Sequence, residues 1–319
     1  MTDDNLTNSN ATRVGMYKPQ CPLCGDSTCL KIDRVDLRSI DEYWSKMGVD
    51  VRPMMAAVGG GIHRYDCLDC GLGFFFPFVP APPEFYSVLR KNMPSPERAR
   101  WDFIEAAHLM RRFGAQKILE FGCADGPFLR CCGSAFETCT GVDFDDASIQ
   151  KCEQEGYDVK CGGWDVVDGE FDAVVAFQVI EHLVDPRDFI SAALGRLRSG
   201  GILIFSCPNE DGILAEIDGD NLNLPPHHMT RWRKSSFQRI AKDYSLDMLH
   251  YAQEPLSLQT YQAYLHPVLF RRPRDKGILS RLMNGSEGAL LHTISSTLHQ
   301  IVAGEHSGHS HLACFRKAG

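Results

Sequence analysis

Two pairs of cysteines are the first residues in this chain whose spacing suggests chemistry: Cys21 and Cys24 in CPLCGD, and Cys67 and Cys70 in CLDCGLGFFFP. In each pair two residues separate the thiols and a glycine follows the second. A tight turn of this kind aims two thiolates at one ion from one side. Two such turns complete a closed tetrahedral site for a structural zinc ion, which makes a zinc-ribbon-like module. Residues 25–66 lie between the pairs, more than the usual ribbon spacing, so an inserted element is expected. DLRSIDEYWSKMGVDV carries a helical period that fits it, and VGGGIH reads as a mobile turn after it. Cys29 matches neither knuckle and reads as a free thiol. Phe74, Phe75, Phe76 and Phe78 are expected to close the ribbon's small core or to dock it on the next domain.

A second constellation begins at KILEFGCADGPFL. An apolar strand runs into Gly122, a turn continues to Gly126, and Pro127 opens a helix, a favoured first-turn position. A pyrophosphate would call for an uncharged glycine loop at a bare helix N-terminus. Here G-x-G-x-x-G is absent and Glu120 and Asp125 flank the glycines. Two carboxylates repel phosphate and suit a cofactor with ammonium, sulfonium and hydroxyl groups, which describes S-adenosylmethionine. Asp143, at the end of TGVDFDD, follows about twenty residues later, where an acidic side chain accepts hydrogen bonds from ribose hydroxyls.

These residues need a scaffold, and the pattern around them supplies it. After the helix SIQKCEQEGY and a short strand near Val159, Ala173 to Phe177 reads as a buried parallel strand. The helix DPRDFISAALGRLRSGG and the run ILIFSCPN follow. Strand and helix alternate five times, which predicts an α/β fold with a doubly wound, Rossmann-like sheet. SLDMLHYAQ and HSHLACFRK read as its sixth and seventh strands. Pro208 and Asn209, at the carboxyl end of the fifth strand, are expected to wall the acceptor pocket.

The stretches ILEFGCADGPFL, GVDFD, FDAVVAFQVIEHL and LRSGGILIFSCPN, in that order, closely resemble the class I S-adenosylmethionine-dependent methyltransferases, in the branch similar to the ubiquinone-biosynthesis O-methyltransferases. The likeness runs from about residue 115 to 210. It implies that Glu120, Gly122, Cys123 and Gly126 form the cofactor loop and that Asp143 binds the ribose. It also implies that Trp164 and Asp165 contact adenine and that Gln178 meets the methionine part. NLNLPPHHMTRWRKSSFQRIAK resembles the PPHH…RW segment of a methyltransferase branch that also carries an N-terminal cysteine-pair module. Many of its members act on sugars or cell-surface glycoconjugates.

Methyl transfer to a hydroxyl gains from a base with a pKa near neutrality, and histidine suits that role. His227 and His228 follow a double proline expected over the pocket, and His182 follows Glu181 at the mouth of the fourth strand; these three are the candidate catalytic residues. Arg231, Arg233 and Lys234 read either as an anion site for the acceptor or as a solvated helix entry capped by Ser235 or Ser236. The expected acceptor is a small polar molecule, a sugar or nucleotide-linked sugar. An RNA methyltransferase using its zinc ribbon and a non-catalytic scaffold are the alternatives.

Composition bounds these readings. The chain has 319 residues, 44% of them apolar, and a formal net charge of -8, which disfavours a nucleic-acid partner. No segment reaches the length and apolarity of a membrane span, and the N-terminus lacks a signal-peptide pattern. Thirteen cysteines without such a signal point to a reducing, cytoplasmic setting. The expected organisation is a disordered tail over 1–16, a zinc-ribbon-like module over 17–80, and a methyltransferase domain over 81–319. A helical insertion over about 255–304 is expected to form a lid or a homodimer surface.

Overall fold

The computed structural model describes residues 19–56, 58–59, 61–92, 100–132, 134–212, 215, 221–258 and 307–318. The expected N-terminal tail and almost all of the helical insertion lie outside the described residues.

The larger sheet is built from β4 (Lys117–Phe121), β5 (Thr138–Asp143), β6 (Asp158–Cys161), β7 (Phe171–Phe177), β8 (Leu197–Pro208), β10 (Asp247–Pro255) and β11 (Ser307–Arg316). Its order is β6-β5-β4-β7-β8-β11-β10. All neighbours are parallel except those of β11, which runs antiparallel to both β8 and β10. The helices α4 (Trp101–Arg112), α5 (Pro127–Cys132), α6 (Asp146–Gln154) and α7 (Pro186–Gly195) supply the crossovers and cover the faces. The central strands are buried on both sides: in β7, Ala173, Val174, Val175 and Ala176 are at most 1% exposed. Such a strand shows no alternation because both faces meet apolar layers. The strand order reverses between β4 and β7, and the carboxyl ends of the strands on either side of that point leave a crevice.

The smaller sheet contains β1 (Cys29–Arg34), β2 (His63–Cys67) and β3 (Gly73–Phe76), all antiparallel. Its fourth strand, β9 (Thr230–Arg231), arrives from the far side of the larger sheet and pairs with β3. The inserted element between the knuckles is α1 (Leu37–Lys46), capped by the Asp36 side chain and followed by α2 (Arg52–Ala56). α1 packs with α3 (Pro83–Asn92) in a core built on Ile40, Trp44, Phe75 and Phe85. β3 decides how the modules join, because successive side chains of a strand point to opposite faces. Phe75 enters that helical core, while Phe74 enters the core shared with Phe205, Trp232 and Phe237. The phenylalanine run therefore does both jobs expected of it.

Charge seals the same junction. Glu210, 5% exposed at its side chain, takes Arg64 at 2.6 Å on one oxygen and Arg231 at 2.5 Å on the other. Arg233 pairs with Asp66 at 3.3 Å and Asp211 at 3.0 Å. The basic cluster is thus neither an anion site nor a solvated helix entry: carboxylates from distant parts of the chain neutralise its arginines. Helix α8 (Lys234–Asp243) takes Arg233 as its N-cap rather than a serine, and Ser236 accepts the Arg233 N–H. Replacing Glu210 by alanine strips the largely buried Arg231 of its carboxylate and leaves Arg64 with Asp66 alone, so Glu210→Ala is expected to cost about 3 kcal/mol of folding stability. Urea unfolding monitored by tryptophan fluorescence would measure it, and an unchanged midpoint would show that the junction contributes nothing.

Candidate active site and cysteine cluster

The crevice at the strand-order reversal is a cavity of about 560 Å³. That volume lies in the range of small-ligand sites. Glu120 and Phe121 reach it from the end of β4, Asp143 from the end of β5, and Phe177 and Gln178 from the end of β7. Gly122 forms its floor in a backbone conformation, φ +81°, that only glycine adopts without strain. A Cβ there would stand 2.5 Å from Val179 Cγ2. Ala124 and Gln178, both lining the cavity, also have positive φ values of 47° and 56°. Non-glycine residues hold such conformations where surrounding structure enforces them, which is common at ligand sites.

The acidic groups divide the work. Asp143 braces the loops: one carboxylate oxygen accepts the Ala124 N–H at 2.9 Å and the other the Asp145 N–H at 2.9 Å. Each oxygen keeps a second lone pair for a ligand. Glu120 is 2% exposed, and its Oε2 has no hydrogen-bond partner among the described residues. Burial pushes its carboxyl well above the ordinary value, with nearby Cys139 and Asp143 adding to the effect. A buried polar atom left without a partner is costly unless a ligand satisfies it. Asp145 caps α6 through the Ser148 N–H, and Ser87 and Arg90 of α3 reach across to it at 2.9 and 3.1 Å. This closes α3 over the cavity. Burial opposes ionisation of Asp145, but hydrogen bonds from Ser148 and Ser87 and the charge of Arg90 outweigh it, and its pKa is lowered.

Other residues singled out in the sequence stand elsewhere. Cys123 is fully buried in a core with Leu129, Ile149 and Cys152, and Gly126 packs toward the Cys152 sulfur; neither lines the cavity. Trp164 lies outside it, stacked on Phe121 at 4.3 Å with its carbonyl taken by Arg196, and the adjacent Asp165 is outside the lining too. Pro208 and Asn209 do not wall it either. Asn209 is spent on the backbone of Asp211 and His309 and the hydroxyl of Ser307, so it stabilises a turn. Gln178 donates to Ser206 at 3.3 Å, and Ser206 donates in turn to the buried Asp102 at 2.7 Å.

Of the three histidines, only His182 lines the cavity. His227 and His228 stand behind it, with ring centroids 4.7 and 4.8 Å from the His182 ring. Burial lowers the pKa of all three, pushing His227 to about 3. Burial also pushes the neighbouring Glu181 up to about 8. Sequence reasoning missed Tyr86, Arg90 and Phe144 in the lining. Phe144, 64% exposed and directly after Asp143, had a local signal in the strand-end VDFDD. Tyr86 and Arg90 had none, because α3 reaches the site only through tertiary packing.

The four cysteines converge as a second site. Cys21 Sγ lies 3.5 Å from Cys70 Sγ, Cys24 Sγ lies 3.5 Å from Cys67 Sγ, and all four sulfurs fall within 4.8 Å of one another. Ligands about 2.3 Å from a tetrahedral ion are separated by about 3.8 Å, so the set fits a soft divalent ion such as zinc. Gly25 and Gly71, at φ +76° and +74°, turn each knuckle back so that its N–H reaches the carbonyl of the first cysteine. Cys29 stays outside the cluster.

A family model described as a methyltransferase domain matches residues 84–251, more than half of the chain. A probable S-adenosylmethionine-dependent methyltransferase of Mycolicibacterium smegmatis is 32% identical over 125 residues, which are 38% of this chain and 48% of that protein. A ubiquinone biosynthesis O-methyltransferase of Thiobacillus denitrificans is 24% identical over 127 residues, 37% of this chain and 53% of that protein. The chain thus spans about half the length of these curated relatives. Among solved structures, an S-adenosylmethionine-dependent methyltransferase from Archaeoglobus fulgidus aligns with a TM-score of 0.47 at 16% identity, covering 73% of this chain and 99% of that one. With the family model matching from α3 through most of β10, a span that supplies all but Ala81 and Pro83 of the lining of the cavity at the sheet's reversal point, the chain belongs to the methyltransferase-domain family.

Proposed function

We propose that the protein transfers a methyl group from S-adenosylmethionine to a small polar acceptor, with a hydroxyl of a sugar or sugar precursor as the acceptor class. The observation that carries this reading is the pair Glu120 and Asp143 at the strand ends, one with an unpartnered buried oxygen and the other with lone pairs to spare. S-adenosylmethionine, when bound, supplies an electrophilic methyl carbon on a sulfonium. Glu120 meets its cationic portion, and Asp143 accepts from the ribose hydroxyls. Phe144 offers an exposed flat face for adenine. Trp164 acts from behind, by holding Phe121 in place. Tyr86 and His182, with ring centroids 5.5 Å apart, form the wall toward the acceptor. Positioning nucleophile and methyl carbon in line supplies much of the acceleration in such a displacement. Against an RNA acceptor stand the net charge of -8 and the engagement of Arg231 and Arg233 by carboxylates.

Calorimetric titration with S-adenosylhomocysteine tests the donor side. Micromolar binding is expected, with release of protons: burial raises the pKa of Glu120 in the free protein, and hydrogen bonds from the cationic amino group favour its charged form and lower it again. The measured enthalpy should therefore differ between buffers of high and low ionisation enthalpy. Radiolabelled methyl transfer to nucleotide-sugars, with RNA as the comparison, tests the acceptor. Absence of binding to folded protein would leave the scaffold reading in its place.

A further inference from the structure

We propose that His182, His227 and His228 bind a divalent transition-metal ion, separate from the ion that the cysteines fit, immediately behind the wall of the cofactor cavity. One ring nitrogen from each histidine lies within 4.8 Å of the others. In every ring Nδ1 already meets an oxygen: the His227 carbonyl at 2.7 Å for His182, the Leu222 carbonyl at 2.8 Å for His227, and the Asn223 side-chain oxygen at 2.8 Å for His228. An oxygen acceptor places the proton on Nδ1 and leaves the Nε2 lone pair free. Metal-ligating histidines are held in the same way by acceptors outside the coordination sphere.

Charge argues for the same occupant. Glu181 is 1% exposed, and neither of its carboxylate oxygens has a hydrogen-bond partner among the described residues. Its Oε1 stands 3.9 Å from His182 Nε2. A buried carboxyl without a hydrogen-bond partner, beside three imidazoles, gains one from a cation placed among them. The frame is fixed by the backbone: Met229 N–H donates to the Glu181 carbonyl at 2.8 Å, and Thr230 Oγ1 donates to the Ile180 and Glu181 carbonyls at 3.3 Å. The Gln178 carbonyl is a second hydrogen-bond partner of the His182 ring, which the ion displaces on binding. Imidazole and carboxylate together select zinc, iron, cobalt or manganese over magnesium or calcium, which prefer oxygen ligands alone. Nitrogens bound to one tetrahedral ion at about 2.0–2.1 Å lie about 3.4 Å apart, so the rings close by up to about 1.4 Å on loading.

The test is cobalt(II) titration of the metal-stripped full-length protein, followed by absorption, with bound metal counted by mass spectrometry. Two equivalents are expected. One shows intense thiolate charge-transfer absorption; the other shows only weak ligand-field bands, as nitrogen and oxygen ligands produce. His227→Gln/His228→Gln should retain the thiolate signal and lose the second equivalent. Saturation of the unmodified protein at one thiolate-bound equivalent would overturn the proposal without any variant having to fold. Two equivalents persisting in the double variant would overturn it as well. S-adenosylhomocysteine binding on the same sample reports separately on methyl transfer, so failure of one reading is distinguishable from failure of the other.

Discussion

Asp143→Ala is expected to weaken S-adenosylhomocysteine binding about a thousandfold, roughly 4 kcal/mol. The size follows from how much rests on this carboxylate. It accepts the Ala124 N–H from the glycine loop and the Asp145 N–H from the start of α6, so it ties together both loops that flank the cavity. Hydrogen bonds to a charged group contribute about 1.5–3 kcal/mol each, and alanine removes two of them together with those proposed to the ribose. Ala124, held at φ 47°, then loses the carboxylate that anchors its N–H in a conformation that is unfavourable for a side chain. Asp143→Asn separates the two roles. Its amide keeps one acceptor oxygen, so one loop stays anchored while the charge is lost, and a loss of about thirtyfold is expected. Calorimetry on both variants, with circular dichroism to confirm the fold, decides the matter. Affinity within threefold of the unmodified protein in Asp143→Ala would remove this residue from the cofactor site.

Removing the metal that the cysteine cluster fits is the second large effect. Structural zinc contributes on the order of 10 kcal/mol in small modules that cannot fold without it. Here the loss spreads further, because the second knuckle is built into the larger domain. Cys67, Cys70 and Leu72 share a core with Trp232 and Phe237, Ser236 donates to the Cys70 carbonyl at 3.2 Å, and Arg239 of α8 pairs with Asp69. β9 depends on β3 for its pairing, and the PPHH segment stands behind the cavity wall just ahead of β9. Chelation, or Cys70→Ser, is therefore expected to lower the unfolding midpoint by on the order of 10 °C and to weaken cofactor binding with it. Scanning calorimetry with and without chelator measures the first effect. A folded, metal-free protein with four titratable thiols and an unchanged midpoint would mean that the cluster needs no ion.

The sequence by itself determined the sheet, the knuckles and the acidic residues at the strand ends, because each is written locally. CxxCG is a single turn, and the βα unit from Lys117 to Cys132 is continuous in the chain. Glu120 and Asp143 occupy strand ends that an apolar run followed by a polar residue marks without ambiguity. Tertiary structure decided the rest, because periodicity reports that a face is buried but never names what it is buried against. Arg64 finds Glu210 across 146 residues, and that pairing turned an apparent anion site into a seal between modules. β9 leaves the larger domain to complete the smaller sheet, and α3 brings Tyr86 and Arg90 to a cavity that nothing in their own sequence indicates. Trp164 spends its ring on Phe121, and the adjacent His227 and His228 stand behind His182 instead of lining the cavity. In each case the side chain's chemistry was legible from its type, while its partner depended on which distant segment packing placed beside it.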